Sequence, residues 1–272
     1  MDWIVGNKFH DIADWTFSPK EQTHSDYAHF PNTLDISLLK DGDIIYTQGF
    51  YHYKQQLLDI IKDTKKVILI SHNCDDGVHD SFILPDNVIK WYAHNVMTTN
   101  PRVESIPAGL ENDNRDFGVH KKTKMLDKLN EEKNIRNLVY MDHRVWTWPE
   151  ARKRPYEVLG NKPWVTSKTD EDKVPFEGYL DNLYNHRFAI CPRGNGIATH
   201  RPWEAMYMNT IPIEIRNTDN RFYTDMPICF INDWEELTED FLNSEYDRIK
   251  NLDWNREMLT FEYWKNKILN SK

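Results

Sequence analysis

The chain has 272 residues, of which 39% are hydrophobic and 28% are charged, as is usual for a globular protein. Its formal net charge of −9 excludes the surplus of lysine and arginine on which sequence-independent nucleic-acid binding depends. The 3 cysteines form no CxxC pair, which excludes a disulfide framework and a zinc site of the usual spacing. No apolar run is long enough to predict a transmembrane helix.

Strands and helices are predicted to alternate through the first half of the chain. Residues 43–47 form a predicted buried strand, and residues 50–63 form an amphipathic helix. Residues 67–70 are a continuous apolar run, which is typical of a strand in a parallel sheet. Residues 88–92 suit either a helix or a strand, and residues 103–107 suit a short strand.

The same alternation continues in the second half, which predicts an α/β protein whose parallel sheets are covered by helices. The predicted elements are a charged helix at 121–132, a strand at 137–141, a helix at 150–159, a strand at 164–166, a helix at 176–184, a strand at 188–190 and a last helix at 256–269.

A change of composition predicts where the chain divides. The Gly-, Asn- and Asp-rich stretch at 109–118 gives way to the charged helix. We therefore expect a first domain over residues 1–120 and a second over residues 134–255. Residues 256–272 would form a C-terminal helix that returns to the first domain.

The segment at 188–215 combines a strand, a Gly-rich turn, a helix and a second strand. Gly194 and Gly196 are predicted to allow a positive φ or a close backbone approach. Pro202 suits the first position of a helix, which would make Arg201 the N-cap and Glu204 the third helical residue. Backbone amides at a helix start, helped by arginine, bind phosphate groups.

Each feature of this segment also has a structural explanation. In that explanation the glycines serve only a tight turn, and Glu204 is a capping carboxylate that accepts hydrogen bonds from free backbone donors. Their combination with nearby basic residues favours a site for a nucleoside diphosphate.

The run C-P-R-G-N-G-x3-H-R-x2-E-A, followed by I-P-I, resembles the C-terminal signature of exostosin-like glycosyltransferases. A weaker likeness lies upstream, in K-W-Y-A-H-N-V at 90–96 and I-P-A-G-L at 106–110. The resemblance implies a GT-B fold, in which two Rossmann-like domains with parallel sheets face a central cleft. It also implies a UDP-sugar donor and inverting transfer without a metal bound by a DxD motif.

The resemblance also implies which residues bind the donor. Glu204 would hold the ribose, while Arg193 and Arg201 would face the diphosphate. Arg144 follows the strand at 137–141, where enzymes of this fold place a cation against the leaving phosphate. The alternative interpretation of its basic surroundings is a solvated helix face. The predicted donor-binding residues are Arg144, Arg193, Gly194, Asn195, Gly196, His200, Arg201 and Glu204.

Inverting transfer requires a general base, which is expected to come from the first domain. The loop at 71–80 follows the apolar strand, and ligands of open α/β sheets bind beyond the carboxyl ends of strands. Asp76 is the first candidate for the base, ahead of Asp75 and His72, and the alternative for each of them is a role in structuring the loop. The spacing of these groups matches no metal site, so neither a metal nor a cofactor is predicted.

The sequence therefore predicts a metal-independent glycosyltransferase that moves a sugar from a UDP-sugar to a glycan or another hydroxyl acceptor. The N-terminus has no basic region followed by an apolar stretch, and no N-x-[ST] acceptor occurs, so a cytoplasmic location is expected. Two alternatives stay open. One is a non-catalytic protein that binds glycans or nucleotide-sugars. The other is a different α/β enzyme with a phosphorylated ligand, although no P-loop motif is present.

Overall fold

The computed structural model describes residues 1–18, 30–48, 51–115, 118–172 and 174–272. Within these ranges, ten strands form two parallel sheets of five strands each, which confirms the predicted α/β class. Phe50, the predicted first residue of a helix, lies outside the described residues. The first half contains α1 (Gly6–Asp11), β1 (Trp15–Phe17), β2 (Asp43–Thr47), α2 (Tyr51–Ile61), β3 (Val67–Ser71), β4 (Val78–His79), β5 (Val88–Ala93), β6 (Val96–Met97) and β7 (Val103–Ser105).

The first sheet has the strand order β1-β2-β3-β5-β7, so its five strands lie side by side in the order in which they occur in the sequence. Its central strand, β3, is buried throughout, which explains why that segment is apolar on both faces. The segment at 88–92, which suited either a helix or a strand, lies in β5 and pairs with β3. Strands β4 and β6 pair separately, beside this sheet.

The second sheet has a reversal in its strand order, β12-β11-β10-β8-β9. Read from the β9 edge, with β8 counted as the first strand, this is the doubly wound order 2-1-3-4-5. Its switch point lies between β8 and β10, and ligands characteristically bind at such a point. The elements of this half are α3 (Gly118–Leu129), β8 (Asn137–Met141), α4 (Pro149–Leu159), β9 (Val165–Ser167), α5 (Phe176–Tyr184), β10 (His186–Ile190), α6 (Arg201–Tyr207), β11 (Ile211–Ile215), β12 (Cys229–Ile231), α7 (Glu239–Lys250) and α8 (Phe261–Leu269).

Buried and partly buried hydrogen bonds join the two halves. The Asp219 carboxylate accepts hydrogen bonds from the Val96 amide at 2.7 Å and from Ser105 Oγ at 2.9 Å. Asn95 Oδ1 accepts one from the Ala198 amide at 2.7 Å. One hydrophobic cluster also contains buried residues of both halves. The halves therefore share part of their core.

Helix α8 packs against both halves. Its Trp264 is buried and contacts the Tyr223 ring edge-on. Lys267 pairs with Glu104 beside the first sheet, and Ser271 Oγ lies 2.6 Å from Tyr92 Oη. The predicted start of this helix at residue 256 is wrong, because residues 256–259 form a separate 3-10 turn and Thr260 caps α8. None of the helices in the described ranges has the length and apolar character that a membrane crossing requires.

Candidate functional site

A cavity of about 310 Å³ lies beyond the carboxyl ends of β8 and β9. We call it the strand-end cavity. Its position beside the switch point is where a doubly wound sheet binds its ligand. The residues that line it are Lys121, Asp142, His143, Arg144, Lys168, Thr169, Asp170, Val174, Phe176, Tyr179, Arg201 and Glu204.

The start of α6 positions the two residues of this helix that line the cavity. His200 is its N-cap and Arg201 its first residue, so the predictions of Arg201 as the cap and Glu204 as the third helical residue are both wrong. The reason is that Pro202 occupies the second helical position. Arg201 and Glu204 are three residues apart on the helix, which is about one turn, and both line the same cavity.

Arg201 is held by an anionic neighbour and by an aromatic ring. Its Nη2 donates to the Asp142 carbonyl at 3.0 Å and to the Asp142 carboxylate at 3.1 Å. Its guanidinium lies 5.1 Å from the Tyr179 ring centroid. Nη1 is buried and has no hydrogen-bond partner among the described residues. A buried donor without a partner is costly, so this atom is expected to meet an anionic or carbonyl oxygen of a ligand.

His143 supplies a second atom without a partner in the same cavity. Its Nε2 lies 2.7 Å from the Arg152 carbonyl oxygen, to which it donates, so Nδ1 is left as an acceptor. Nδ1 is buried and unpartnered among the described residues. Burial, together with the charges of Arg201 and Arg152, lowers the pKa of His143 to about 3, so the ring is neutral at pH 7.

Glu204 and two aromatic residues, Tyr179 and Phe176, also line this cavity. Glu204 Oε2 accepts a hydrogen bond from Tyr179 Oη at 2.7 Å, and no capping bond from Glu204 to the backbone occurs in the described part of the chain. A carboxylate has further acceptor positions, so Glu204 can still accept bonds from a pair of hydroxyl groups. Phe176 offers a half-buried ring to a planar ligand group.

Three further cations line this cavity. Arg144 and Lys168 form no ion pair with a described carboxylate, and the Arg144 guanidinium lies over the Trp146 ring at 5.8 Å. Lys121 pairs with Glu111 at 2.6 Å. The cavity therefore combines four cationic side chains with three carboxylates, of which Asp142 is paired with Arg201 and Glu204 lies one turn from Arg201 on α6. Lys121 and Tyr179 were not predicted, since neither lies in a recognisable motif.

The Gly-rich turn lies apart from the strand-end cavity. Arg193, Gly194, Asn195 and Gly196 do not line it, although the sequence grouped them with Arg201 and Glu204. The Arg193 side chain folds back over its own turn, where it donates to the carbonyl oxygen of Asn195 at 3.0 Å. Its guanidinium lies 4.7 Å from the Trp148 ring centroid. Asn195 is exposed.

The two glycines of this turn have different surroundings. Neither has the positive φ that the sequence suggested. A Cβ on Gly196 would lie 2.7 Å from Asn95 Oδ1, the oxygen that accepts a hydrogen bond from Ala198. The nearest atom to a Cβ on Gly194 would be Arg152 Nη2 at 3.3 Å. Gly196 is thus required for the contact between the halves. Its surroundings give no sign of a role in phosphate binding.

A second cavity of about 240 Å³ lies between the halves and is called the inter-sheet cavity. It brings His72 and Asp75 together with His200, whose Nδ1 lies 2.8 Å from the Gly109 carbonyl oxygen. Asp76 does not line it, and the Asp76 carbonyl oxygen accepts a bond from Lys54. The lining residues are His72, Asn73, Cys74, Asp75, His94, Glu111, Asn112, Asn114, Arg115 and His200.

His72 is bound at both ring nitrogens. Nε2 donates to the Pro107 carbonyl oxygen at 2.9 Å, and Nδ1 accepts from the Asn73 amide at 2.8 Å. The ring stacks against Phe9 and His94. Burial lowers its pKa to about 4. These contacts give His72 a role in fixing the loop, while its role as a base stays a prediction.

A third cavity, of about 350 Å³, lies beyond β10, β11 and β12, and Arg193 and Glu214 are among the residues that line it. Burial and the nearby Asp219 raise the pKa of Glu214 to about 8. We call it the lateral cavity. It is bordered by Trp234 and by the start of α4.

No protein-family model and no curated protein sequence matches this chain. Among solved structures, it is similar to a UDP-forming α,α-trehalose-phosphate synthase from Burkholderia xenovorans, with 10% identity and a TM-score of 0.48, over 86% of this chain and 74% of the other. It is also similar to an α1,3-fucosyltransferase, with 12% identity and a TM-score of 0.37, over 85% of this chain and 70% of the other. At these TM-scores we base no functional assignment on either likeness.

Proposed function

We propose that this chain is a glycosyltransferase of the GT-B type that binds a nucleoside-diphosphate sugar in the strand-end cavity. The observation that carries the proposal is the combination of Arg144, Lys168 and Arg201 with the carboxylate of Glu204, at the switch point of a doubly wound sheet. Arginine and lysine at this point match the charge of a diphosphate. Glu204 matches a ribose diol.

The unpartnered atoms of the cavity support the same ligand. Arg201 Nη1 would donate to a phosphate oxygen, and the His143 Nδ1 lone pair would accept from a hydroxyl group. The half-buried Phe176 ring would lie against the nucleobase. Together these groups would bind each part of a nucleoside diphosphate with a chemically suited side chain.

The cations would also serve the transfer step. When the bond between the anomeric carbon and the diphosphate breaks, negative charge gathers on the leaving phosphate. Arg144, Lys168 and Arg201 would stabilise that charge without a metal. A UDP-sugar donor, inversion at the anomeric carbon and an affiliation with the exostosin-like enzymes are part of this proposal.

The first test is a thermal-shift screen of the full chain with UDP, GDP, CDP and ADP, each with and without EDTA. We expect one nucleoside diphosphate to raise the melting temperature and EDTA to leave the shift unchanged. No shift with any nucleotide would contradict the proposal and favour a glycan-binding protein. A shift abolished by EDTA would contradict metal independence alone.

The second test is Glu204→Ala, with Tyr179→Phe as its matched control. A ribose contact predicts that Glu204→Ala loses roughly tenfold or more in UDP affinity, since a hydrogen bond to a charged group contributes about 1.5–3 kcal/mol. Tyr179→Phe removes the hydroxyl bound to Glu204 but keeps the carboxylate, so most of the affinity should remain. Equal losses in both variants would show that Glu204 acts through packing.

A further inference from the structure

One ion pair connects the strand-end cavity with the inter-sheet cavity. Lys121 Nζ lies 2.6 Å from Glu111 Oε2. Lys121 lines the strand-end cavity, whereas Glu111 lines the inter-sheet cavity. About a quarter of each side chain is exposed, so both remain accessible from their cavities. The pair therefore lies at the boundary between the two spaces.

The backbone of Glu111 is fixed independently of this pair. The neighbouring Lys122 donates to the Glu111 carbonyl oxygen at 2.9 Å and pairs with Asp113. Lys122 is itself buried. If the Lys121 ammonium moved away, helix α3 would still hold Glu111 at the inter-sheet cavity through Lys122.

A diphosphate in the strand-end cavity would compete with Glu111 for Lys121. It carries more negative charge than one carboxylate and is already attracted by the other cations of the cavity. A partly exposed ion pair contributes only about 0.2–1 kcal/mol, so Lys121 can exchange partners at low cost. The Glu111 carboxylate would then lose its cation while it still faces the inter-sheet cavity.

The inter-sheet cavity is chemically suited to a polyhydroxyl compound. The side-chain amides of Asn112 and Asn114 and the imidazole of His200 line it together with Glu111. His94 Nε2 is buried there without a partner among the described residues. These groups offer both donors and acceptors to hydroxyl groups, as carbohydrate recognition requires.

Building on the proposed function, we propose that Glu111 is the catalytic base and that donor binding activates it by withdrawing Lys121. The Glu111 carboxylate takes the proton of an acceptor hydroxyl group. The acceptor oxygen forms a bond with the anomeric carbon, and the bond from that carbon to the diphosphate oxygen breaks. Its electron pair leaves with the nucleoside diphosphate. Lys121 is a positioning residue that keeps the base paired until the donor is bound.

The test is a double-mutant cycle on UDP affinity, measured by calorimetry on the full chain. Glu111→Gln should free Lys121 and tighten UDP binding by about 1.4- to 5-fold, the range that corresponds to a partly exposed ion pair. Lys121→Met should weaken UDP binding, and Glu111→Gln should have no effect in that background. The matched control is the pair of Lys124 with Glu177, which joins α3 to α5 outside both cavities, so Glu177→Gln should leave UDP affinity unchanged.

The same variants separate this proposal from the proposed function. With a UDP-sugar that the unmodified protein turns over, Glu111→Gln should lower kcat by about 100-fold or more while UDP binding is retained. Unchanged kcat, or a gain in UDP affinity that persists without Lys121, would overturn the role of Glu111 alone. A wild-type protein that binds no UDP or turns over no UDP-sugar would overturn the proposed function, and this role with it.

Discussion

Single atoms decide what the strand-end cavity can bind. Arg201 Nη1 and His143 Nδ1 are a donor and an acceptor that the fold buries without protein partners. Arg144, Arg201 and Glu204 were predicted as binding residues from the resemblance to exostosin-like glycosyltransferases, together with their positions after a strand or at the start of a helix. The sequence could not predict the state of His143, because its single free nitrogen results from a hydrogen bond to the backbone of residue 152.

Gly196→Ala is expected to destabilise the fold by about 1–3 kcal/mol, because the added Cβ would clash with the buried Asn95 side chain. The free energy of unfolding in urea measures this effect. Gly194→Ala, two residues earlier in the same turn, is the control. It should change stability by well under about 1 kcal/mol, since the nearest atom is the end of an arginine side chain. Equal losses in both variants would contradict the assigned contact.

Glu214 is expected to make stability depend on pH. Its pKa is raised from 4.5 to about 8, chiefly by burial, so the folded chain binds this proton more tightly than the unfolded chain. Its contribution to stability is therefore present below about pH 4.5 and is lost as the pH rises to about 8. Between about pH 6.5 and about pH 8, the unfolding free energy should fall by about 1–2 kcal/mol.

Glu214→Gln should remove this decrease, and urea unfolding at the two pH values measures it. The raised pKa of Asp219, about 6, affects a lower pH range. The exposed Glu132 provides the control, because Glu132→Gln should preserve the pH dependence. A wild-type stability that is constant over this range would show that the surroundings of Glu214 do not raise its pKa.

At the level of elements, most strands and helices were predictable from their apolar patterns, but the twelve-residue helix α7 and several short strands were not. Strand β3 and helix α5 match their predicted positions closely, because their apolar patterns are continuous. Strands β1 and β12 were not predicted. Each has only three residues. Strand β1 pairs with β2, which lies about 30 residues later in the sequence, and β12 pairs with β11 across a loop. The starts of α6 and α8 were misplaced by one and five residues, because the caps His200 and Thr260 depend on local geometry.

Helix α8 is expected to contribute strongly to stability through Trp264. Trp264→Ala removes a side chain that is 1% exposed and should cost about 3–5 kcal/mol. Trp146, which is 64% exposed, is the matched control, and Trp146→Ala should cost well under about 1 kcal/mol. Thermal or urea unfolding distinguishes the two. A small effect of Trp264→Ala would mean that α8 does not complete the core.

At the scale of the whole molecule, the two sheets do not behave as separate bodies. Their shared hydrophobic cluster and the buried Asp219 contacts connect them, and the inter-sheet cavity is lined by residues of both halves. The sequence indicated two parallel-sheet units, since alternation is a local property. It could not indicate which loops meet between them, because such contacts join residues more than 100 positions apart.

We therefore expect the chain to unfold in a single transition. Tryptophan fluorescence and far-UV circular dichroism should give the same urea midpoint, because loss of either half exposes the shared cluster. Two separated transitions would contradict this coupling. Asp219→Ala tests its origin, since removal of the carboxylate leaves the Val96 amide and Ser105 hydroxyl without their partner and should separate the two curves.

The contacts of α8 also have a consequence for the order of events during synthesis. Phe9, near the start of the chain, packs against Phe261, about 250 residues later. At a translation rate of roughly 5–20 residues per second, the ribosome makes the second partner on the order of ten to fifty seconds after the first. During that interval Phe261 is not yet present to pack against the apolar face around Phe9. The nascent first sheet would then be a natural substrate for chaperones that bind exposed apolar segments, until α8 emerges and completes the fold.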